Sequence, residues 1–121
     1  MSNLIPKGWG VVELIKLSTK IGDGIHSTPK YIDFSPYPFI NGNNLISGRI
    51  IVGDKAKFVS ESEYIKYKKD LNDKTILMSI NGTIGKLAYY QGENVVLGKS
   101  AAFISLKPEV SQKFIYYTLQ S

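Results

Sequence analysis

The segment TILMSINGTIGKLAYY, residues 75–90, constrains the fold of this chain more than any other part of it. Two runs that favour β-strands, 75–80 and 84–90, flank the tripeptide Asn81-Gly82-Thr83. Because Asn-Gly favours the tight turn of a β-hairpin, the pattern predicts two antiparallel strands joined by a short turn. A strand-rich domain is therefore expected, with further β-like runs at 49–52, 57–60, 95–98 and 101–106.

Three segments have the apolar spacing or the capping residues of short helices. The first spans 11–21, and the Gly-Asp-Gly sequence that follows would end it. The second spans 61–69, where Ser60 and Glu63 form the S-x-x-E capping box of a helix start. The third is KFIYYTLQ at 113–120, preceded by a serine that can cap it. The helical part of the fold is therefore predicted to be small beside the strands.

A polar loop with several prolines, 25–44, follows the first predicted helix. A loop of that length in a compact domain is usually functional or ordered by its own packing. The predicted fold class is α+β: strand-dominated, with a twisted mixed or antiparallel sheet, about three short helices and long polar loops. With 121 residues and no linker composition, the chain is expected to form one domain over 1–121.

The charge of the chain is basic, with a net charge of +5 and an isoelectric point near 9.3. This balance favours anionic partners, of which nucleic acid is the most common, although a solvated surface explains it equally well. Fourteen of the 15 basic residues are lysine, and Arg49 is the exception. Since lysine suits phosphate contacts, any base reading would depend on amides, hydroxyls, lysines and backbone groups.

Cysteine is absent, and no apolar stretch approaches the roughly 20 residues that cross a membrane. Disulfides and thiolate metal sites are thereby excluded, which suits a reducing compartment. We therefore expect a soluble, cytoplasmic protein without a membrane partner.

Catalytic residues are sparse in this sequence. His26 is the single histidine, and the carboxylates of Asp23, Asp33 and Asp54 are scattered along the chain. No segment resembles a nucleophile elbow, and one histidine gives too few ligands for a transition-metal site. We therefore expect no catalytic residue, no metal and no cofactor in this chain.

The glycines and lysine of the hairpin segment could be mistaken for a nucleotide-binding phosphate loop. That motif needs four residues between its glycines and a Ser or Thr after its lysine. Here two residues separate Gly82 from Gly85, and a leucine follows Lys86, so the nucleotide-binding reading fails. The glycines are expected to serve the turn. The polar residues at this predicted sheet edge are candidate nucleic-acid contacts: Asn81, Thr83 and Lys86. For Thr83 and Lys86, contact with a phosphate and simple solvation explain the pattern equally well.

The stretch GDGIHSTPKY at 22–31 gathers several groups that contact nucleic acid in other proteins. Hydroxyls, imidazole and lysine bind phosphates and base edges, and tyrosine stacks on sugars or bases. A structural loop turned by its proline is the alternative interpretation. The candidate contact residues in this stretch are His26, Ser27, Thr28, Lys30 and Tyr31.

Six blocks follow one another along the chain: GWGVVELIKLSTKI, IGDGIHSTPKY, PFINGNNLISGRI, FVSESEYIKY, TILMSINGTIGKLAYY and KSAAFISLKPEVSQKFIYYTLQS. Their order resembles the target recognition domains of Type I restriction–modification specificity subunits. Nearly the whole chain is covered, and six blocks in register are far more specific than any one of them. One departure is Asp73-Lys74-Thr75, which stands where the family usually has Gly-Asp before the strand.

The resemblance implies a double-stranded DNA-reading module that directs adenine methylation and cleavage by other proteins. Partner methyltransferase subunits would use S-adenosylmethionine, and a motor–nuclease subunit would use ATP and Mg²⁺. Family members usually carry two such domains separated by long helices, so 111–121 would begin a spacer helix. The chain would be a single recognition domain, a half-subunit that could self-associate, or an excised fragment. The alternative to DNA recognition is a truncated fragment that acts through assembly with methyltransferase or another specificity subunit. A third interpretation is the recognition domain of a fused restriction–methylation enzyme.

Within this resemblance, the polar side chains of the loops become candidate DNA contacts. Asparagine can read adenine through its amide, so Asn43 and Asn44 are the preferred base contacts, and Asn41 is a further candidate. The alternative is that Asn43 and Asn44 only form a turn before Leu45. Lysines are the expected phosphate contacts, and the four chosen are Lys20, Lys30, Lys86 and Lys99.

Overall fold

The structure is a computed structural model that describes residues 11–80 and 84–120. Its helices are α1 (Val11–Leu17), α2 (Glu61–Tyr67) and α3 (Gln112–Gln120). Its strands are β1 (Ser18–Asp23), β2 (Tyr31–Ile32), β3 (Pro38–Ile40), β4 (Leu45–Ile46), β5 (Arg49–Ile50), β6 (Lys57–Val59), β7 (Thr75–Ile80), β8 (Ile84–Tyr89), β9 (Val96–Leu97) and β10 (Ala101–Leu106). The predicted α+β, strand-dominated class is confirmed. In the described part of the chain, none of the helices has the length and apolar character that crossing a membrane requires.

The large sheet is formed by the four six-residue strands in the order β1-β10-β7-β8, and all of its neighbouring strands are antiparallel. Its alternate residues enter two different cores. Ile76 packs in a cluster with Leu14 of α1 and Ile115 of α3, whereas Leu77 packs in a second cluster with Ile40 of β3. Because both faces of this sheet are covered, its central strands have continuous apolar sequences rather than alternating ones.

The second layer beside this sheet is built from two smaller sheets. One has the order β2-β6-β3-β9, in which β3 and β9 are parallel and the other pairs are antiparallel. The other is the β4–β5 hairpin, turned by Ser47 and Gly48 at φ values of 53° and 83°. The Gly48 carbonyl accepts a hydrogen bond from the Tyr89 backbone N–H at 2.9 Å. This bond attaches the hairpin to the edge strand of the large sheet.

The prediction of one helix over 11–21 is wrong in its second half. Helix α1 ends at Leu17, and strand β1 begins at the next residue and continues through the Gly-Asp pair that was expected to end a helix. β1 pairs along β10, from Ser18 opposite Leu106 to Asp23 opposite Ala102. These ladder bonds with a distant strand outweigh the helical spacing, since propensity is a weak prior that tertiary contacts override.

The prediction of a continuous loop over 25–44 is also wrong. This stretch contains β2, β3 and one turn of 3₁₀ helix over Gly42–Asn44. Both strands are held by pairing with β6, which lies more than a dozen residues further along the chain. Two- and three-residue strands leave little periodic signal in the sequence, so only their partners reveal them.

The helix caps predicted from sequence are found, with one difference at α2. The Ser60 hydroxyl accepts a hydrogen bond from the Glu63 backbone N–H at 3.3 Å, as expected for an N-cap. The Glu63 carboxylate, however, accepts from the Lys30 backbone N–H at 2.8 Å. It therefore connects α2 to the segment before β2. At α3 the Ser111 hydroxyl accepts from the Phe114 N–H at 3.1 Å, which confirms that predicted cap.

The strands predicted on either side of Asn81-Gly82-Thr83 are confirmed as β7 and β8. They pair antiparallel, with Ile80 opposite Ile84. The turn predicted at residues 81–83 lies outside the described residues. The register shifts between Met78 and Ile80, which marks a bulge near the end of β7.

Candidate nucleic-acid interface

Three distant segments meet at one end of the large sheet. The Gly24 N–H donates to the Ala101 carbonyl at 2.8 Å, and the Gly98 N–H donates to the Ile40 carbonyl at 2.7 Å. A Cβ atom on Gly24 would lie 1.9 Å from the Gly98 carbonyl oxygen, so the backbones there are in direct contact. The end of β1, the end of β3 and the β9–β10 turn are thus held together by main-chain contacts, which fixes the side chains that follow them.

A polar network reinforces this junction. The Asn41 side-chain oxygen accepts from the Ser100 hydroxyl at 2.9 Å and from the Ser100 N–H at 3.3 Å. The same hydroxyl oxygen accepts from the Gly42 N–H at 2.9 Å. Asn41 therefore holds the β9–β10 turn against the end of β3. This assigns its side-chain oxygen a structural role in addition to its predicted place in a contact surface.

A pocket of about 370 Å³ opens beside this junction. Six of the residues predicted to contact DNA line it, and they come from three separate parts of the chain. It carries an imidazole, an ammonium group and several hydroxyls, a set suited to a phosphate or to base edges. The predicted residues in the wall are His26, Ser27, Thr28, Tyr31, Asn41 and Lys99, together with Ile25, Phe39 and Ser100.

A second pocket, of about 360 Å³, lies next to the first and shares Tyr31, Phe39 and Asn41 with it. The rings of Tyr31 and Phe39 are in edge contact, with centroids 5.6 Å apart and an interplanar angle of 61°. This pair, the aromatic ridge, belongs to the walls of both pockets. The second pocket is otherwise lined by Asn43, Asn44, Gly53, Lys55, Ala56 and Lys57.

The two asparagines preferred as base contacts have different surroundings. The Asn44 amide is engaged at both ends: its oxygen accepts from the Asn41 N–H at 2.9 Å, and its nitrogen donates to the Ile51 carbonyl at 3.0 Å. Asn43 is exposed on the 3₁₀ turn. Both side chains line the second pocket, but Asn44 mainly secures the 3₁₀ turn to the chain after β5.

Among the four predicted phosphate contacts, Lys99 lines the first pocket. Lys86 lines neither pocket, but it lies on β8 at the same end of the sheet. Its backbone N–H donates to the Ser79 hydroxyl at 2.7 Å, and Ser79 pairs with Ala101 at the start of β10. Lys99, in the β9–β10 turn, and Lys86, on β8, therefore lie at the same end of the large sheet as the junction.

The other two predicted phosphate contacts are further from the pocket. Lys20 lies opposite Ser105, in the half of β1 that is remote from the junction. Lys30 has an exposed side chain and precedes β2 without lining either pocket. Asn81 and Thr83 lie outside the described residues. Like every other DNA contact predicted from the sequence, the contacts of these four residues stay predictions.

His26 is close to Asp23, with 3.7 Å between the imidazole Nε2 and the carboxylate. Both side chains are strongly exposed, so this pair, charged only when the histidine is protonated, is screened by solvent. Within 11–80 and 84–120, no cluster of three or more His, Asp or Glu side chains is arranged to hold a metal ion. The arrangement suits contact with a polar anionic ligand.

Comparison with known families identifies the chain. Its sequence matches the family described as the Type I restriction modification DNA specificity domain, over residues 6–121. The chain belongs to this family. The resemblance seen in the six sequence blocks is thus confirmed. A search of curated proteins found no match.

Members of the specificity domain family are recognition modules for DNA sequence. The two adjoining pockets of this specificity domain contain most of the loop residues that the sequence predicted as DNA contacts. Sequence reasoning missed Phe39, Ser100, Lys55 and Lys57. The alternating lysines at 55 and 57, next to a β-like run, were a signal that could have been used. No signal marked Phe39, because its exposure depends on how β3 is paired.

Proposed function

We propose that this specificity domain reads one half of a split target in double-stranded DNA through the major groove, as part of a Type I restriction–modification specificity subunit. Methyltransferase subunits then bring S-adenosylmethionine and methylate a flipped adenine. A motor–nuclease subunit, with ATP and Mg²⁺, cleaves DNA that lacks the modification. The chain contributes recognition and no catalytic group.

One observation carries the proposal beyond family membership. Side chains from residues 26–28, Tyr31, Asn41 and Lys99 converge on a single pocket, although up to 73 residues separate them in the sequence. They are of the types that contact phosphates and base edges. Convergence of such groups at a rigid main-chain junction favours a preorganised binding surface.

The roles follow from the chemistry of the groups. Lys99 supplies a positive charge for a phosphate, and the hydroxyls of Ser27 and Thr28 supply short hydrogen bonds to it. The exposed Asn43 has a free path to a base edge, where its amide can pair with adenine in the major groove. His26 is a further donor for a phosphate or base.

Selection of binding sites from a pool of duplexes with a randomised interior tests this proposal. The chain is used alone and together with the methyltransferase subunit, and the bound DNA is sequenced after each round. We expect enrichment of a short defined half-site, at least in the presence of the partner. If neither sample enriches any sequence while both proteins are folded, the recognition proposal is wrong.

A second candidate function is control of assembly through protein contacts. Two large apolar side chains on the helices favour it: Ile15 of α1 is 54% exposed and Phe114 of α3 is 64% exposed. Sedimentation of the chain with the methyltransferase subunit, combined with the site selection, separates the two candidate functions. A stable complex that selects no DNA sequence supports assembly control, whereas enrichment of a defined sequence supports DNA recognition.

A further inference from the structure

Lys57 is held by an aromatic ring at the edge of the second pocket. Its ammonium nitrogen lies 4.7 Å from the centroid of the Tyr31 ring. Lys57 also lies directly opposite Phe39 in the β3–β6 pairing, and Tyr31 is paired with Val59 of the same β6 strand. The positions of the aromatic ridge and of Lys57 are therefore fixed by the pairing of the strands and not by the conformation of a loop.

The surroundings of Lys57 carry positive charge. Lys55 lines the same pocket, and the polar groups there are the side chains of Asn41, Asn43 and Asn44. No carboxylate belongs to this described lining, although the exposed Asp54 is the sequence neighbour of Lys55. Two lysines in one concave site attract an anion more strongly than isolated surface lysines.

We propose that the second pocket binds a phosphodiester group of the duplex. The Lys57 ammonium donates hydrogen bonds to the phosphate oxygens, and Tyr31 positions Lys57. The inference rests on the proposed DNA recognition and deepens it. The contact surface then extends across the aromatic ridge, from Lys99 in the first pocket to Lys57 in the second. Neither Lys55 nor Lys57 was among the predicted contacts.

The positioning role of Tyr31 has a physical basis. A lysine side chain loses much rotamer freedom when it is fixed on a phosphate, and that loss opposes binding. Attraction between the ammonium and the ring quadrupole restricts Lys57 beforehand. The ring is uncharged, so Tyr31 can affect the electrostatic part of binding only through the lysine that it holds.

Measurement of affinity against salt concentration, by fluorescence anisotropy with a selected duplex and a scrambled one, tests the phosphate contact. Lys57→Gln removes the charge and keeps a polar side chain that is only one atom shorter. We expect the slope of log K against log salt to decrease in magnitude by about 0.9, with weaker binding to both duplexes. Lys57→Arg keeps the charge and should retain the slope of the parent protein.

Lys66 provides the matched control. Its ammonium lies 5.0 Å from the centroid of the Tyr67 ring on α2, and neither residue lines either pocket. Lys66→Gln therefore removes the same charge from the same kind of pair at a different place. Its slope should stay within error of the parent protein, which separates local contact from loss of net charge.

Tyr31 variants test the positioning role. Tyr31→Leu should reduce the magnitude of the salt slope, whereas Tyr31→Phe keeps the ring and should retain the slope of the parent protein. In the Lys57→Gln background, Tyr31→Leu should cause no further change of slope. A Tyr31 acting only as a direct neutral contact would lower affinity without changing the slope. Either that outcome or an unchanged salt slope in Lys57→Gln overturns the inference about the second pocket. If the parent protein still binds the selected duplex more tightly than the scrambled one, the proposed function stays intact. If the parent protein binds both duplexes equally, the proposed function is wrong, and the inference that rests on it is wrong as well.

Discussion

The side-chain oxygen of Asn41 accepts hydrogen bonds from both the hydroxyl and the backbone N–H of Ser100, which is 59 residues away in the sequence. Through this pair the end of β3 holds the turn that carries Lys99. One wall of the candidate DNA surface is thereby attached to the strand pairing of the fold. The relationship explains how a polar pocket can be rigid although its lining comes from turns and loops.

Removal of the Asn41 amide should weaken both the fold and the site. For Asn41→Ala we expect a loss of about 1–2 kcal/mol in the free energy of unfolding, since Ser100 loses a partner in a half-buried position. Urea denaturation measures this loss. Ser100→Ala should give a similar loss, and the double variant should lose less than the sum because the two residues share one interaction. If the double variant loses as much unfolding free energy as the two single variants together, the described network is wrong.

The contact between Gly24 and the Gly98 carbonyl should make position 24 intolerant of a side chain. Gly24→Ala places a Cβ 1.9 Å from that oxygen, so the backbones must separate at a cost of about 3 kcal/mol. Urea denaturation again gives the value. Gly53→Ala is the matched control, because a Cβ at Gly53 has no atom within 4 Å. Equal stability of the two variants would contradict the described junction.

The two adjacent asparagines should behave differently when replaced. Asn44→Ala removes hydrogen bonds to Asn41 and Ile51 and should lower the free energy of unfolding by about 1–2 kcal/mol. Asn43→Ala should leave stability within about 0.5 kcal/mol, as for most exposed positions. In site selection Asn43→Ala should relax the preference at one base pair. If its selected sequences match those of the parent protein, the base contact is wrong.

Lys99 and Lys86 should each contribute to the salt dependence of DNA binding. Replacing either lysine by alanine should reduce the slope of log K against log salt by about 0.9 and weaken binding to all duplexes. Lys113→Ala is the control, since Lys113 is exposed on α3 and lines neither pocket. Anisotropy titrations at several salt concentrations provide the slopes. A slope unchanged in Lys86→Ala would remove Lys86 from the contact surface.

Three tyrosines should keep their protons to a higher pH than an ordinary phenol. The hydrogen bond to Glu61 raises the pKa of Tyr37 from its usual 10.0, and burial raises the pKa of Tyr89 and Tyr90. The folded state thus binds these protons more tightly than the unfolded state does. Their contribution to stability is complete below pH 10 and is lost as the pH rises through the folded-state pKa values.

Near-ultraviolet absorbance of tyrosinate during an alkaline titration checks this expectation. In the folded protein, a fraction of the tyrosines should ionise at a higher pH than the others. In urea, where the protein is unfolded, all tyrosines should ionise together. Tyr90→Phe should reduce the fraction that ionises at higher pH, whereas a titration identical in the folded and unfolded states would contradict the assigned shifts.

Local patterns in the sequence predicted much of the fold. Ser60 and Ser111 were identified as helix caps because a cap needs only a side chain and a backbone N–H three residues away. The strands β7 and β10 were recognised from their apolar runs. The second half of the segment 11–21 was assigned incorrectly, since its strand state depends on pairing with β10.

The sequence by itself determined the α+β class, the basic character, the family and the side-chain types available for DNA. These depend on composition, short-range spacing and ordered motifs, all of which a single chain displays directly. Only the tertiary structure decided that His26, Asn41 and Lys99 line one pocket and that Lys57 lies over Tyr31. Such neighbours are created by strand pairing and buried packing between distant segments, and no local window of the sequence contains both partners.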